Sequence, residues 1–135
     1  MGYTHYWTPR AFTAEEWTIV CRDVRKIIKA CPVPLALEYD EPGKKPEVSK
    51  EAIRFNGPNE AGHETFMIGR TDTGFQFCKT NGKPYDAAVT AILAYLAQTW
   101  DFKVTSDGDK SDWEAGTLLA SAALRTPVPV PAGVT

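Results

Sequence analysis

The chain has 135 residues, with 15 lysines and arginines against 17 aspartates and glutamates, for a formal net charge of −2. That balance leaves no general basic field to hold a nucleic-acid backbone, so nucleic acid is not an expected partner. Cys21, Cys31 and Cys78 are odd in number and lack CxxC spacing, which indicates neither a disulfide framework nor a zinc ribbon and suits reduced, intracellular thiols.

MGYTHYWTPR lacks the basic-then-apolar order of a leader, and no apolar run approaches the length that crosses a bilayer. The expectation is a soluble, cytoplasmic protein with no membrane partner, built as one domain over residues 1–125. In FTAEEW, Thr13 caps a helix, Glu16 sits at the reciprocal capping-box position, and Phe12 and Trp17 stand where a hydrophobic staple joins. The helix begins at Ala14 and carries an apolar stripe of Trp17, Val20, Cys21, Val24, Ile27 and Ile28, until Pro32 and Pro34 stop it. Within it RDVRKIIK sets Arg22, Arg25, Lys26 and Lys29 against Asp23, a locally basic, solvated face.

From Leu35 to Cys78 the pattern becomes short β-like runs, LALEY, AIRF, ETFMIG and FQFC, separated by EPGKKP, NGPNEAG and TDTG. Ile53 and Phe55 alternate with Arg54, and Phe75 and Phe77 with Gln76, which predicts one buried face carrying the apolar residues. The last two runs are spaced for a hairpin turning at Gly74. DAAVTAILAYLAQTW returns to helical period, with Asp86 as its cap and Val89, Ile92, Leu93, Leu96 and Trp100 on one stripe. FKVT reads as a further strand. SDWE repeats the capping-box logic with Ser111 and Glu114, and a third helix runs to about Leu124. TPVPVPAGVT, residues 126–135, with three prolines and no charge, reads as a flexible tail. The fold class is α+β: a mostly antiparallel sheet of about five strands with three helices on one face. The strand before the second helix and the strand after it would run parallel if that segment is a crossover.

Several segments fail as catalytic signatures. HETFM begins like HExxH, yet Met67 stands where the second histidine is needed. SDGDKSDWE resembles a calcium loop, but counted from Asp107 the sixth and twelfth places hold Asp112 and Leu118 instead of Gly and Glu. FCKTNGKPYD lacks the Walker glycines, and Cys78 in an alternating strand reads as core. FNGPNEAGHETF reads first as a turn, because Asn56-Gly57 precedes Pro58, and second as the rim of a site. What remains is polar and aromatic residues at element junctions, suited to hydrogen-bonding and stacking on a small ligand. The expected binding set is His5, Trp7, Arg54, Asn56, Lys79, Thr80, Tyr85, Asp107, Asp112 and Trp113, with no metal ligand, cofactor or catalytic residue assigned.

Taken together, GYTHYW, FNG, FCKT with PYD, and SDG followed by DW resemble words carried by small accessory proteins encoded in tailed-phage genomes, over Gly2 to Leu124. The resemblance implies a viral protein acting in a bacterial host, and brings no catalytic roles. Such proteins often blunt host defence by sequestering a nucleotide signal or by gripping a host protein. The first expectation is therefore a binder of a small nucleotide-like ligand, assembled as a homo-oligomer. The alternatives are an inhibitor that docks a host protein through Trp7, Trp113 and Arg54, and a small hydrolase or transferase using His5 or His63.

Overall fold

In the computed structural model, which describes residues 3–135, the first strand lies in THYWT, where the sequence pattern predicts no regular element. Gly2 of GYTHYW lies outside the described residues. The elements are β1 (Thr4–Thr8), α1 (Ala14–Ala30), β2 (Glu47–Val48), β3 (Ala52–Phe55), β4 (Phe66–Gly69), β5 (Gln76–Lys79), α2 (Asp86–Trp100), β6 (Lys103–Ser106) and α3 (Glu114–Leu124). Short 3-10 turns occupy Asn59–Ala61 and Lys110–Trp113.

α1 starts as its local chemistry dictates. The Thr13 hydroxyl accepts from Glu16 N at 3.1 Å, and the Glu16 carboxylate accepts from Thr13 N at 2.9 Å. Arg10 closes on the same carboxylate at 2.8 and 2.9 Å, and these bonds, the Thr13 N–H foremost, hold Glu16 below its ordinary carboxyl range. Trp17, Val20, Cys21, Val24 and Ile27 are buried, and the Phe12 and Trp17 rings pack 5.4 Å apart.

The strands form two antiparallel three-stranded sheets, ordered β5-β1-β6 and β2-β3-β4, not one sheet of five. β1 pairs with β5 on one side and β6 on the other, while β4 pairs with β3, so β5 lies at the edge of its sheet and the expected β4–β5 hairpin pairing does not form. Asp72 secures the turn instead, its carboxylate accepting from Gly69 N and from the Gln76 amide, each at 2.8 Å. Because β5 and β6 both run antiparallel to β1, they run parallel to each other, with α2 as their connection. The expected crossover is thus present, with β1 inserted between its strands. LALEY contributes a single bridge, Ala36 to Asn56, and no regular strand.

α2 lies at the centre of the protein, with every residue from Ala88 to Leu96 buried. The box that leads into α3 is formed by Asp109 and Asp112 in place of Ser111 and Glu114; the Ser111 hydroxyl donates to Asp109 at 2.6 Å instead. The expectation of a free tail also fails. Val128 and Val134 are buried in the core, Val128 N donates to the Ser121 hydroxyl at 2.9 Å, and Gln98 donates to Pro127 O at 3.0 Å. Those valines give the segment apolar surface worth burying against α3 and β6. Among the described residues, no helix is long and apolar enough to cross a membrane.

Candidate binding face and buried histidine network

β1 alternates, and the alternation separates two environments. His5 and Trp7 point inward and are buried, while Thr4, Tyr6 and Thr8 point outward. Inward, the register sets His5 opposite both Cys78 and Ser106. The imidazole spans the gap between β6 and α2, with Nδ1 2.8 Å from the Ser106 hydroxyl and Nε2 2.6 Å from Asp86 Oδ1. Thr80 donates to the same carboxylate oxygen at 2.6 Å, and Gly108 N donates to Ser106 at 2.9 Å. A consistent proton assignment has Nε2–H donated to Asp86 and Nδ1 accepting from Ser106. Asp86 is therefore the first residue of α2 and not its cap, since its carboxylate is committed to the imidazole and the threonine.

Tyr3 and Trp113 meet the His5 ring edge-on, each at 5.0 Å. Burial first, and then the Asp86 carboxylate, push the Tyr3 phenol well above its ordinary value. The serine–histidine–aspartate sequence of contacts has the composition of a nucleophilic relay. No cleft opens onto it, however: His5 and Thr80 are fully buried, Ser106 and Asp86 are partly buried, and the surface clefts of 260 to 450 Å³ are lined by other residues. Its evident work is to tie β1, β6 and the start of α2 together.

A second cluster centres on Glu64. Lys79 N donates to its carboxylate at 2.8 Å, Glu64 N donates to Lys79 O at 3.3 Å, and the Tyr85 hydroxyl donates to Glu64 O at 2.5 Å. The Asn56 side chain closes the loop that follows β3. Its Oδ1 accepts from Gly57 N at 2.8 Å and His63 N at 3.0 Å, while Nδ2 donates to His63 O and Thr65. The loop is drawn so tight that a Cβ at Gly57 would sit 2.2 Å from Ala61 O. Phe55 to Phe66 is thus a self-pinned connection. Cys78, beside Tyr85, is buried, and desolvation pushes its thiol up to about 12. Iodoacetamide at mildly alkaline pH is accordingly expected to modify Cys78 only after unfolding; mass-spectrometric detection of native labelling at that residue would contradict this.

The ten expected binding residues are therefore distributed over several settings. His5 and Thr80 meet at Asp86, Trp113 packs edge-on against the His5 ring, and all three are buried. Asp107 accepts from Thr4 N and from the Tyr6 hydroxyl, each at 3.1 Å, and Asp112 serves the Asp109 box. Lys79, Tyr85 and Asn56 surround the loop at Glu64. Trp7 is buried, its indole donating to Gln76 at 3.2 Å, and Arg54 lies on the other sheet, held by Glu38 at 2.7 Å and Glu47 at 3.4 Å. These side chains do not line a common hollow, because most of their polar atoms already have partners in the protein.

The outward face of the β5-β1-β6 sheet was not anticipated. Register places Tyr6 between Phe77 and Thr105, Thr4 beside Lys79, and Thr8 beside Lys103. Phe75 is 65% exposed and Phe77 59%, against the expectation that both are buried. The alternation of FQFC was legible, but its inward positions went to Gln76 and Cys78, next to Trp7 and His5. Phe75 stacks on Tyr6 with centroids 6.1 Å apart and planes 18° from parallel. Beside them a cleft of about 300 Å³ is lined by Trp7, Thr65, Met67, Phe75, Gln76 and Phe77.

Among the described residues, no group of three or more His, Cys, Asp or Glu side chains is placed to hold a metal ion. Comparison with protein-family models, with curated proteins and with solved structures returns no match.

Proposed function

We propose that the protein acts by binding, and that the outward face of the β5-β1-β6 sheet receives the planar ring of a nucleotide-like ligand. The observation that supports this is the pair of exposed rings, Phe75 and Phe77, beside the half-buried Tyr6 ring on which Phe75 stacks, on a strand surface flanked by Lys79 and Lys103. Stacking of a base on such rings contributes about 1–3 kcal/mol per base, and lysines at neighbouring cross-strand positions answer phosphate charge. Threonine hydroxyls at positions 4, 8 and 105 add donors and acceptors for a sugar or a base edge. A flat face leaves the far side of a stacked ring in water; a second copy of the face would cover it, so a homo-oligomer belongs to the proposal. Sequestration of a host nucleotide signal by a phage protein is the setting that the sequence words suggest.

A protein partner is the second reading, favoured by Met67, which is 49% exposed beside the two phenylalanines. Contiguous apolar surface of that kind marks interaction sites, and the anchors would be Phe75 and Phe77 in place of the buried Trp7 and Trp113. A hydrolase finds less support, since His5 is fully buried and the His63 ring has no hydrogen-bond partner among the described residues.

Titration with mononucleotides and cyclic dinucleotides, followed by fluorescence and thermal shift, tests the first reading. Phe77→Ala is expected to weaken a bound nucleotide about tenfold, the equivalent of about 1.4 kcal/mol, with the melting temperature of the free protein unchanged. Nucleotide affinity indifferent to Phe77→Ala would overturn the platform. Loss of a protein partner in the same variant, with no nucleotide bound by the parent, would establish the second reading.

A further inference from the structure

The structure holds a second candidate site, unrelated to the sheet face and sharing no residue with it. A cleft of about 450 Å³ opens between the C-terminal half of α1 and the segment entering β2, lined by Arg25, Ile28, Lys29, Lys45, Pro46 and Val48. Its volume falls in the range of small-ligand sites, which is about 300–1,000 Å³. Its lining divides into three aliphatic side chains and three cations, with no acid.

The cations are uncompensated. Ion pairs among the described residues engage Arg10, Arg22, Lys44, Arg54 and His5, but none engages Arg25, Lys29 or Lys45. The nearby acids are already committed: Asp23 to Arg22 and Tyr95, Glu41 to Lys44, and Glu47 to Arg54 and Ser49. Arg25 and Lys29 stand four apart on one helix, a spacing at which like charges repel. Lys29, in the last turn, is favoured there by the helix dipole; Lys45 has no such reason to face the same cleft. Arg25 is also held in place, donating to Val48 O at 2.9 Å, which points its guanidinium along the wall between helix and strand.

We infer that this cleft binds a compact, multiply charged phosphate ester, its phosphates among Arg25, Lys29 and Lys45 and its apolar portion on Ile28, Pro46 and Val48. Cations converging from a helix and from a separate loop suit a polyanion small enough to touch both. An extended acidic peptide would spread its charge past the cleft.

Calorimetric titration of the full chain with inorganic pyrophosphate, up to about 5 mM at low ionic strength, tests the assignment. Saturable binding at one site per chain is expected, weakening as salt rises, with orthophosphate binding at least about tenfold more weakly. Lys29→Gln and Lys45→Gln, both at exposed positions, should each weaken pyrophosphate about fivefold, while Lys26→Gln, on the same helix but outside the cleft, leaves it unchanged. Absence of saturable binding would overturn the inference, and so would equal losses in all three variants, which would indicate a diffuse positive field. Tight capture of a glutamate-rich peptide with no response to pyrophosphate would also overturn it. The sheet-face variant Phe77→Ala should bind pyrophosphate as the parent does; a loss there would mean that the two sites are one.

Discussion

Replacing Asp86 by alanine is expected to cost about 3 kcal/mol of stability and to lower the melting temperature by about 10 °C, the larger part of the effect coming from groups left without a partner. The carboxylate oxygen Oδ1 accepts from the His5 imidazole and from the Thr80 hydroxyl, both on fully buried residues. Without it, neither donor has another acceptor within reach among the described contacts, and an unmade bond in a dry site costs far more than an average bond contributes. Asp86→Asn keeps an acceptor oxygen and is expected to lose only about 1 kcal/mol. Thr80→Val removes one of the two donors, so its combination with Asp86→Ala should cost less than the sum of the single changes. Urea unfolding of the parent and the four variants measures each quantity. A loss under about 1 kcal/mol for Asp86→Ala would mean that water replaces the carboxylate and that the network is not a tie.

The location of this network shows why its parts were only half legible. His5, Thr80 and Trp113 stood out as polar or aromatic words, and they do converge. Asp86 did not, because an acid before AAVTAIL has a sufficient local explanation as a helix cap, and only the fold brings it to a histidine 81 positions away. Ser106 and Tyr3 carried no signal of their own. The α1 capping box, by contrast, is made within four consecutive residues and needed no tertiary information.

The same division governs the sheets. Treating neighbouring strands in sequence as neighbours in space is right more often than not, and it holds for β2, β3 and β4. It fails at β4 and β5, which go to different sheets, β5 taking THYWT from the far end of the chain as its partner. The parallel relation of β5 and β6 was readable only as an option, because a long helix between two strands permits a crossover without requiring one. For FQFC the period of two was correct and its phase was not: alternation states that two faces exist, and the partner strand decides which one is buried. That inversion exposed the two phenylalanines on which the binding proposal now rests.

A comparable conflict between local preference and packing makes the other large effect predictable. Alanine is favoured over glycine inside a helix by about 1 kcal/mol, so Gly116→Ala in α3 should stabilise the protein if propensity alone decided. A Cβ there would sit 2.0 Å from Thr90 Oγ1, 2.7 Å from Thr90 Cβ and 2.8 Å from Ala91 N. The Thr90 hydroxyl cannot swing aside freely, since it donates to Asp86 O at 2.9 Å and Ala87 O at 3.3 Å. Nor can α2 withdraw, because it is buried along nine consecutive residues. Overpacking wins, and a net loss of about 2 kcal/mol is expected for Gly116→Ala and about 3 kcal/mol for Gly116→Val. Thr90→Ala should rescue little of this, as it removes Oγ1 but leaves the Cβ and the α2 backbone in place. Because Asp86 begins the helix that is pushed, the Gly116 variants should also loosen the His5–Asp86 contact, visible as faster hydrogen exchange at the start of α2. A rise in stability for Gly116→Ala would show that α2 and α3 approach less closely than the contact at Thr90 requires.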